Sequence, residues 1–253
     1  MDNNSVLAVV AARAGSKGLP GKNLMKIGNM SLVEKTIKDA VSSGVFQRVV
    51  ISSENAEIIS EAVTNGAEAP FVRPLELAQD DSTSVDVVLH AIDYFEQMGI
   101  HFKYVVLLEV TYPLRSYEMI TRCVSKLTQN SKSFDGVVSV STSKDHPDQG
   151  FRIKQSRIRQ FNGKNKMVRR QSLPTSVHPY GGVYAVKTEI LKKRKTFYPR
   201  NLGFLRIHKF QAIEIDDIGD FINAESLYPH YLEWISGKIP DLVKNSDKGV
   251  EIL

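Results

Sequence analysis

Apolar positions along the chain alternate between two regimes: short unbroken runs, and longer stretches in which apolar residues recur every three or four positions. Val6 to Ala12, Arg48 to Ser53, Tyr104 to Glu109 and Gly136 to Val140 are unbroken, and each reads as a strand buried on both faces. The stretches between them read as helices. Ser31-Leu32-Val33-Glu34 is a capping box opening a helix through Val41, with Gly44 beyond its end. Ala56 to Val63 is a second helix ending near Gly66, and Asp80-Asp81-Ser82-Thr83 caps a third from about Val85 to Met98. Tyr117 to Leu127 is a fourth, and Phe71-Val72 reads as a short strand. Strands alternating with helices predict a parallel sheet with right-handed crossovers.

The pattern changes after Ser141. Phe151-Arg152-Ile153-Lys154 and Ile158-Arg159-Gln160-Phe161 alternate around polar turns and read as a hairpin, an insertion in the main fold. Gly182 to Val186 returns to the main sheet, and Phe210 to Ile215 reads as a last strand. Ile218, Phe221 and Ile222 then have helical spacing, and a further helix spans about Tyr228 to Ile235. The expected organisation is an α/β catalytic domain from residues 1–144 and 180–240, an inserted hairpin region at 145–179, and a frayed tail at 241–253.

Composition agrees with this picture. A chain of 253 residues with 42% hydrophobic and 24% charged content fits one α/β domain with an appended subdomain. No run approaches the roughly 18 apolar residues of a membrane span, and the first residues lead into a strand with no charged leader, so no membrane association and a cytoplasmic location are expected. The single cysteine, Cys123, leaves no disulfide within the chain and reads as a small buried hydrophobe. The net charge of +5 is unevenly spread: Lys144 to Lys209 holds 17 Lys or Arg against Asp145, Asp148 and Glu189, which reads as a surface for an anionic small substrate or as a solvated face rather than as a nucleic-acid site. His146, His178 and His208 lack metal-ligand spacing and read as surface residues.

The first strand runs into Arg13-Ala14-Gly15-Ser16-Lys17-Gly18-Leu19-Pro20-Gly21-Lys22-Asn23, a loop offering backbone N–H groups and three cationic side chains at a strand's C-terminal end. That is a means of holding a polyphosphate. The spacing matches neither G-x-x-x-x-G-K-[ST] nor G-x-G-x-x-G, which disfavours a P-loop ATPase and a Rossmann dehydrogenase.

This loop resembles the N-terminal signature of the acylneuraminate cytidylyltransferases, which make CMP-activated sialic and related nonulosonic acids. Arg73-Pro74 with Glu76-Leu77-Ala78 and Asp80 or Asp81 resembles the family's second motif, and Pro113-Leu114-Arg115 the end of its third. Arg170-Gln171 with Leu173-Pro174 and Gly181 to Tyr184 resembles the fourth, and Glu214-Ile215-Asp216 sits where the family carries Asp-x-Asp. The resemblance implies a three-layer α/β/α nucleotidyltransferase fold of the GT-A-like kind, with a mostly parallel Rossmann-like sheet and a small β-rich dimerisation insertion. It implies CTP and a 2-keto-3-deoxy sugar acid as substrates, with pyrophosphate released and the acid activated as its CMP ester. A KDO-type synthetase, or another sugar nucleotidyltransferase, is the alternative.

Site roles follow from the same resemblance. Lys22 is placed at the reacting α-phosphate and Arg13 across phosphate oxygens, with Ala12, Gly15, Ser16, Lys17 and Asn23 completing the nucleotide loop. Arg73, Ser82 and Ser84 fall to the nucleobase. Glu214 and Asp216, two apart on the expected strand, share a face and suit one Mg²⁺; Asp216 joins Lys22 and Arg13 as catalytic. Asp217 is the expected N-cap of the following helix. Glu109, Thr111, Arg170, Gln171, Tyr180 and Tyr184 map to the sugar pocket, with Arg170 on the sugar's carboxylate. Two departures stand out there. Glu109 replaces the family's Gln and Tyr180 its Asn, so a sugar presenting hydroxyl or amino donors fits better than N-acetylneuraminate. A homodimer through residues 145–179 is also implied, and the general base is open between Asp216, metal-bound water and the substrate.

Overall fold

Val6–Ala11 (β1) is buried almost from end to end, and the computed structural model, which describes residues 5–16, 18–143, 145–164, 166 and 168–238, shows what covers it. A minor hairpin of Lys26–Ile27 (β2) and Met30–Ser31 (β3) leads into Leu32–Ser43 (α1), followed by Arg48–Ser52 (β4) and Ala56–Thr64 (α2). Ser84–Gln97 (α3), Tyr104–Glu109 (β5), Tyr117–Gln129 (α4) and Gly136–Thr142 (β6) continue the alternation. Phe151–Lys154 (β7) and Arg157–Gln160 (β8) form a separate antiparallel hairpin, turning through Gln155 at a left-handed φ of 55°. Val177–Lys187 (β9), Thr188–Arg194 (α5), Leu202–Arg206 (β10) and Ile218–Ile235 (α6) complete the described elements.

The main sheet has the order β10-β6-β9-β5-β1-β4. β1 runs parallel to β4 and β5, and β6 parallel to β10, while β9 alone is antiparallel to its neighbours β5 and β6. The side chains of β1 explain the layering. Leu7 and Val9 enter one core with Val88, Ile92 and Phe95 of α3, and Val6, Ala8 and Val10 enter the other with Leu32 and Ile37 of α1 and Ile120 of α4. Both faces are therefore covered, and the three-layer α/β/α architecture with a mostly parallel sheet stands. Cys123 is fully buried in α4, where burial pushes its thiol up to about 12.

Local chemistry fixes the helix ends. Ser31 accepts from the Glu34 amide at 3.0 Å, Gly44 closes α1 at φ 64°, and Thr83 forms a reciprocal capping box with Asp86 at the start of α3. Asp217 caps α6 with Asp220 in the same way, as its sequence position predicts.

Four expectations are corrected. Phe71-Val72 is no strand: Pro70 and Pro74 flank it, the ladder beside β4 is carried by Glu68 alone, and the Phe71 ring turns onto His90 at 4.7 Å. Phe210 to Ile215 is no strand either, being a 3₁₀ turn at Lys209–Gln211 followed by irregular chain. The last strand is β10, where Gly203 lies against the Phe134 ring so closely that a Cβ would sit 3.0 Å away, and that glycine hides the alternation. The two helices expected after Asp217 are one, α6, continuous through Pro229 because Tyr228 and Tyr231 on either side are buried in the core. Residues 241–253 lie outside the described residues, and the returning strand β9 begins at Val177, earlier than the pattern suggests.

Candidate active site

β1 and β5 run in the same direction and end side by side at Ala11 and Glu109. Beyond these C-terminal ends opens a cleft of about 300 Å³, the position at which open α/β sheets bind ligands. The loop after β1 forms one wall, the segment from Arg73 to Ser84 a second, and Glu109 to Thr111 the floor. Glu214 and Asp216 close the remaining side.

The loop is held by few bonds. Buried Asn23 donates from Nδ2 to the Arg13 carbonyl at 2.8 Å, and the Ala12 amide is spent on the Ser52 carbonyl at 3.1 Å, extending the sheet by one residue. Gly21 turns at φ 70°, a backbone shape that favours glycine. At Gly18 the requirement is space: a Cβ would collide with the Asp216 carbonyl oxygen. The loop therefore rests directly on the acidic segment. Gly15 has open space where a side chain would be, leaving room for a ligand to approach the backbone.

The two described cations of the loop, Lys22 and Arg13, are each matched by an internal anion. Lys22 donates from Nζ to the Ile215 carbonyl at 2.8 Å and lies 3.4 Å from Oδ1 of Asp216. Arg13 pairs with Asp80 at 3.0 Å across the cleft, and the Ala14 amide donates to Glu54 at 2.6 Å.

Arg73 is 4% exposed and donates from Nε to the Ser52 hydroxyl at 3.0 Å and from Nη2 to the Ser52 carbonyl. Burial lowers its pKa to about 10, with Glu54 opposing the shift. Ser82 donates to the Glu76 carbonyl, and Ser84, in the first turn of α3, donates to Oε1 of Glu109 at 3.4 Å. The Glu109 carboxyl is pushed up to about 7, first by burial and then by the nearby Glu214 carboxylate. Burial likewise raises Glu214, against a hydrogen bond from the Tyr112 hydroxyl. Tyr112, itself buried, packs edge-on to Tyr180 with ring centroids 6.5 Å apart.

Of the residues singled out in the sequence, Arg13, Ser16, Lys22, Asn23, Arg73, Ser82, Ser84, Glu109, Thr111, Glu214 and Asp216 converge on this cleft. Ala12 and Gly15 sit in the loop that borders it. Tyr180 and Tyr184 lie on β9 beside the cleft and do not line it. The Tyr184 ring packs on Phe197 at 5.6 Å, with its hydroxyl 3.5 Å from that of Tyr198. Gln171 is exposed in a 3₁₀ turn away from the cleft. Lys17 and the side chain of Arg170 lie outside the described residues.

Glu214 and Asp216 are not on a strand, yet they still share one side. The Ile215 amide donates to the Thr111 carbonyl at 2.9 Å and its side chain is fully buried, so its two neighbours are both turned to the cleft. Two hard carboxylates there suit Mg²⁺ if phosphate oxygens and water complete the shell, and among the described residues no cluster of three or more His, Cys, Asp or Glu offers a closed site.

Three residues have parts that sequence reasoning did not assign. Arg115, 1% exposed, donates from Nη1 to the carbonyls of Glu109 at 2.8 Å and Gly182 at 2.9 Å, and from Nη2 to the Thr36 hydroxyl at 2.8 Å. It locks the end of β5 to β9, and its place at the end of the Pro-Leu-Arg motif is the one signal of this. Asp80 and Glu54 answer the loop's donors; Asp80 falls in the stretch that resembles the second motif, without a role assigned to it, and Glu54 carries no local signature.

Comparison with known proteins follows the geometry. A family model described as cytidylyltransferase matches residues 7–214. A pseudaminic acid cytidylyltransferase of Campylobacter jejuni is 31% identical over 225 residues, covering 88% of this chain and 95% of the relative. A CMP-N,N'-diacetyllegionaminic acid synthase of Legionella pneumophila is 30% identical over 232 residues, with the same coverage. The solved structure of a CMP:2-keto-3-deoxy-manno-octonic acid synthetase with CTP superposes with a TM-score of 0.66 over 89% of this chain and 99% of that one; at 12% identity it speaks for the fold alone.

Proposed function

Because the chain belongs to the cytidylyltransferase family, we propose that it transfers CMP from CTP to a 2-keto-3-deoxy sugar acid of the nonulosonic type. The observation that carries this reading is the meeting of Lys22 with Ile215 and Asp216: a cationic loop and an acidic pair, nearly two hundred positions apart in sequence, face one cleft. That combination suits a triphosphate with a divalent counter-ion.

In this reading the anomeric hydroxyl gives up its proton to a base in the cleft as its oxygen bonds to the α-phosphorus, the bond from that phosphorus to the bridging β-oxygen breaks, and pyrophosphate leaves. Negative charge grows on the transferring phosphoryl oxygens. Lys22, a compact ammonium on a flexible stem, leaves Asp216 to meet it, and Arg13 leaves Asp80 to fork across the phosphates. The backbone N–H of Gly15 adds a further donor. Mg²⁺ held by Glu214 and Asp216 would neutralise phosphate charge.

Arg73 and Ser82, with Ser84, face the cytosine end, where a donor fork and hydroxyls match its acceptors and amino group. Glu109 faces the sugar acid. A carboxyl in the place of an amide favours a sugar that offers hydroxyl or N–H donors. Thr111, which lines the cleft, belongs to the proposed sugar side, with the guanidinium of Arg170 assigned to the acid's carboxylate.

The β7–β8 hairpin exposes Phe151, Ile153 and Ile158, and a homodimer that covers them is part of the proposal. No described helix is long and apolar enough to cross a membrane. The proposed setting is the cytoplasm, where the CMP ester serves as a donor for cell-surface polysaccharide.

Incubating the protein with CTP, Mg²⁺ and a panel of 2-keto-3-deoxy sugar acids tests the reading through pyrophosphate release and the mass of the CMP ester. Turnover is expected with pseudaminic- or legionaminic-type acids ahead of N-acetylneuraminate. Best turnover with N-acetylneuraminate would overturn the assignment of Glu109, and no turnover with any nonulosonic acid would overturn the activity.

A further inference from the structure

Glu54 is the charged residue closest to the cleft machinery that the mechanism above leaves without a task. It follows β4, where three contacts meet. The Ser52 carbonyl accepts from the Ala12 amide, the Ser53 carbonyl accepts from the Arg73 amide at 2.9 Å, and Asn55 caps α2 through the Ile58 amide at 2.9 Å. The turn is thus fixed on both sides, and the Glu54 side chain has little freedom. One of its oxygens accepts from the Ala14 amide at 2.6 Å. The other is buried with no hydrogen-bond partner among the described residues.

A buried carboxylate oxygen without a donor needs a compensating charge. Arg73, nearly fully buried, supplies it: Glu54 is the anion whose field acts on the Arg73 guanidinium, while Arg13 opposes it. Glu54 therefore touches the phosphate loop with one oxygen, while its charge acts on the base-side cation. Loop residues 13–16 have a few other anchors, the Asn23 side chain on the Arg13 carbonyl, the Arg13 side chain on Asp80 and the Ala78 carbonyl, and the Ser16 amide on the Ala14 carbonyl at 3.1 Å, but Glu54 is the acceptor of the Ala14 amide. Without Glu54 the Ala14 amide turns freely, and CTP has to order the loop as it binds.

We infer that Glu54 is a positioning residue for the nucleotide, holding the phosphate loop and the base-side arginine in one arrangement before CTP arrives. The inference rests on reading the cleft as a CTP site. It assigns Glu54 no contact with either substrate, so its removal acts on the affinity for CTP and leaves the sugar acid alone.

Steady-state pyrophosphate release by Glu54→Ala and Glu54→Gln, with CTP and the sugar acid varied in turn, tests this beside thermal unfolding and calorimetric titration with CTP alone. For Glu54→Ala the KM for CTP and the calorimetric Kd are expected to rise about tenfold or more, the order expected for losing a hydrogen bond to a charged group. Glu54→Gln keeps an acceptor for the Ala14 amide and loses the charge, so its rise is expected to be smaller. The KM for the sugar acid stays level in both. A CTP affinity within threefold of the parent in Glu54→Ala overturns the inference, as does an equal rise in both KM values. Should Glu54→Ala fail to fold, an unchanged CTP affinity in Glu54→Gln has the same force. Calorimetry reads CTP binding without turnover: a parent protein that binds CTP but activates no sugar acid overturns only the sugar-acid reading, and one that binds no CTP overturns both.

Discussion

Oε2 of Glu109 and the ring of Tyr112 meet at Gly181, so tightly that a Cβ there would collide with the carboxylate and lie 2.7 Å from the tyrosine ring. Gly181 is not at a left-handed φ, so this glycine is required by its neighbours and not by its backbone. The Glu109 carboxyl lies folded against β9, and a methyl group is enough to push it out. In Gly181→Ala, overpacking of this kind is expected to cost about 1–3 kcal/mol. Its catalytic signature is a raised KM for the sugar acid with the KM for CTP unchanged. Parallel changes in both constants would show that Gly181 serves stability alone.

The carboxyl of Glu109 also makes stability depend on pH. Its pKa in the folded chain, about 7, stands above its ordinary value of 4.5, so the folded state binds the proton more tightly than the unfolded state. The resulting stabilisation is fully present below about 4.5 and is lost as pH rises through 7. Glu109→Gln removes the titrating group. Urea midpoints measured from pH 4.5 to 8 are therefore expected to fall less steeply with rising pH in the variant, with a residual slope from Glu214, whose pKa is raised in the same direction. Identical slopes in the two proteins would contradict the burial of Glu109.

Lys22 leads to a kinetic prediction. Its ammonium is positioned by the Ile215 carbonyl and Asp216, and in the proposed displacement it follows the charge that develops on the α-phosphate. Lys22→Ala is expected to lower kcat by about 10²-fold or more, the usual order for one electrostatic stabiliser. Near-normal turnover at saturating CTP would remove Lys22 from the chemical step.

Arg115 separates support from chemistry. Replacing it by Met keeps the stem and leaves the carbonyls of Glu109 and Gly182 and the Thr36 hydroxyl without their donor. A loss of about 3 kcal/mol or more in unfolding free energy is expected, the range for removing one partner from a buried charged network. Denaturant unfolding reads it directly. A loss under 1 kcal/mol would mean that the three acceptors find other donors.

What could be read in the sequence was what local chemistry decides. Ser31 with Glu34 and Thr83 with Asp86 are three residues apart, so their caps can be seen without knowing the fold. The cationic loop announced itself because Gly15, Gly18 and Gly21 are dense in one short stretch. The segment before Asp217 was misread for a physical reason: Ile213 and Ile215 alternate with polar residues as a strand would, although their place in the sheet had already been taken by β10. Both readings turn the acidic residues to one side, which is how Glu214 and Asp216 were found despite the wrong element. Glu54 and Arg115 could not be found so. The amide that Glu54 holds is 40 residues away, and the farthest acceptors of the Arg115 guanidinium are 67 and 79 residues away, so their tasks exist only once the sheet has closed.

Gly18 lies against the Asp216 carbonyl, which joins the first loop of the chain to nearly its last element. Side-chain bulk at position 18 therefore has to displace the Asp216 backbone, and with it the partner that holds the Lys22 ammonium, without altering any charged group itself.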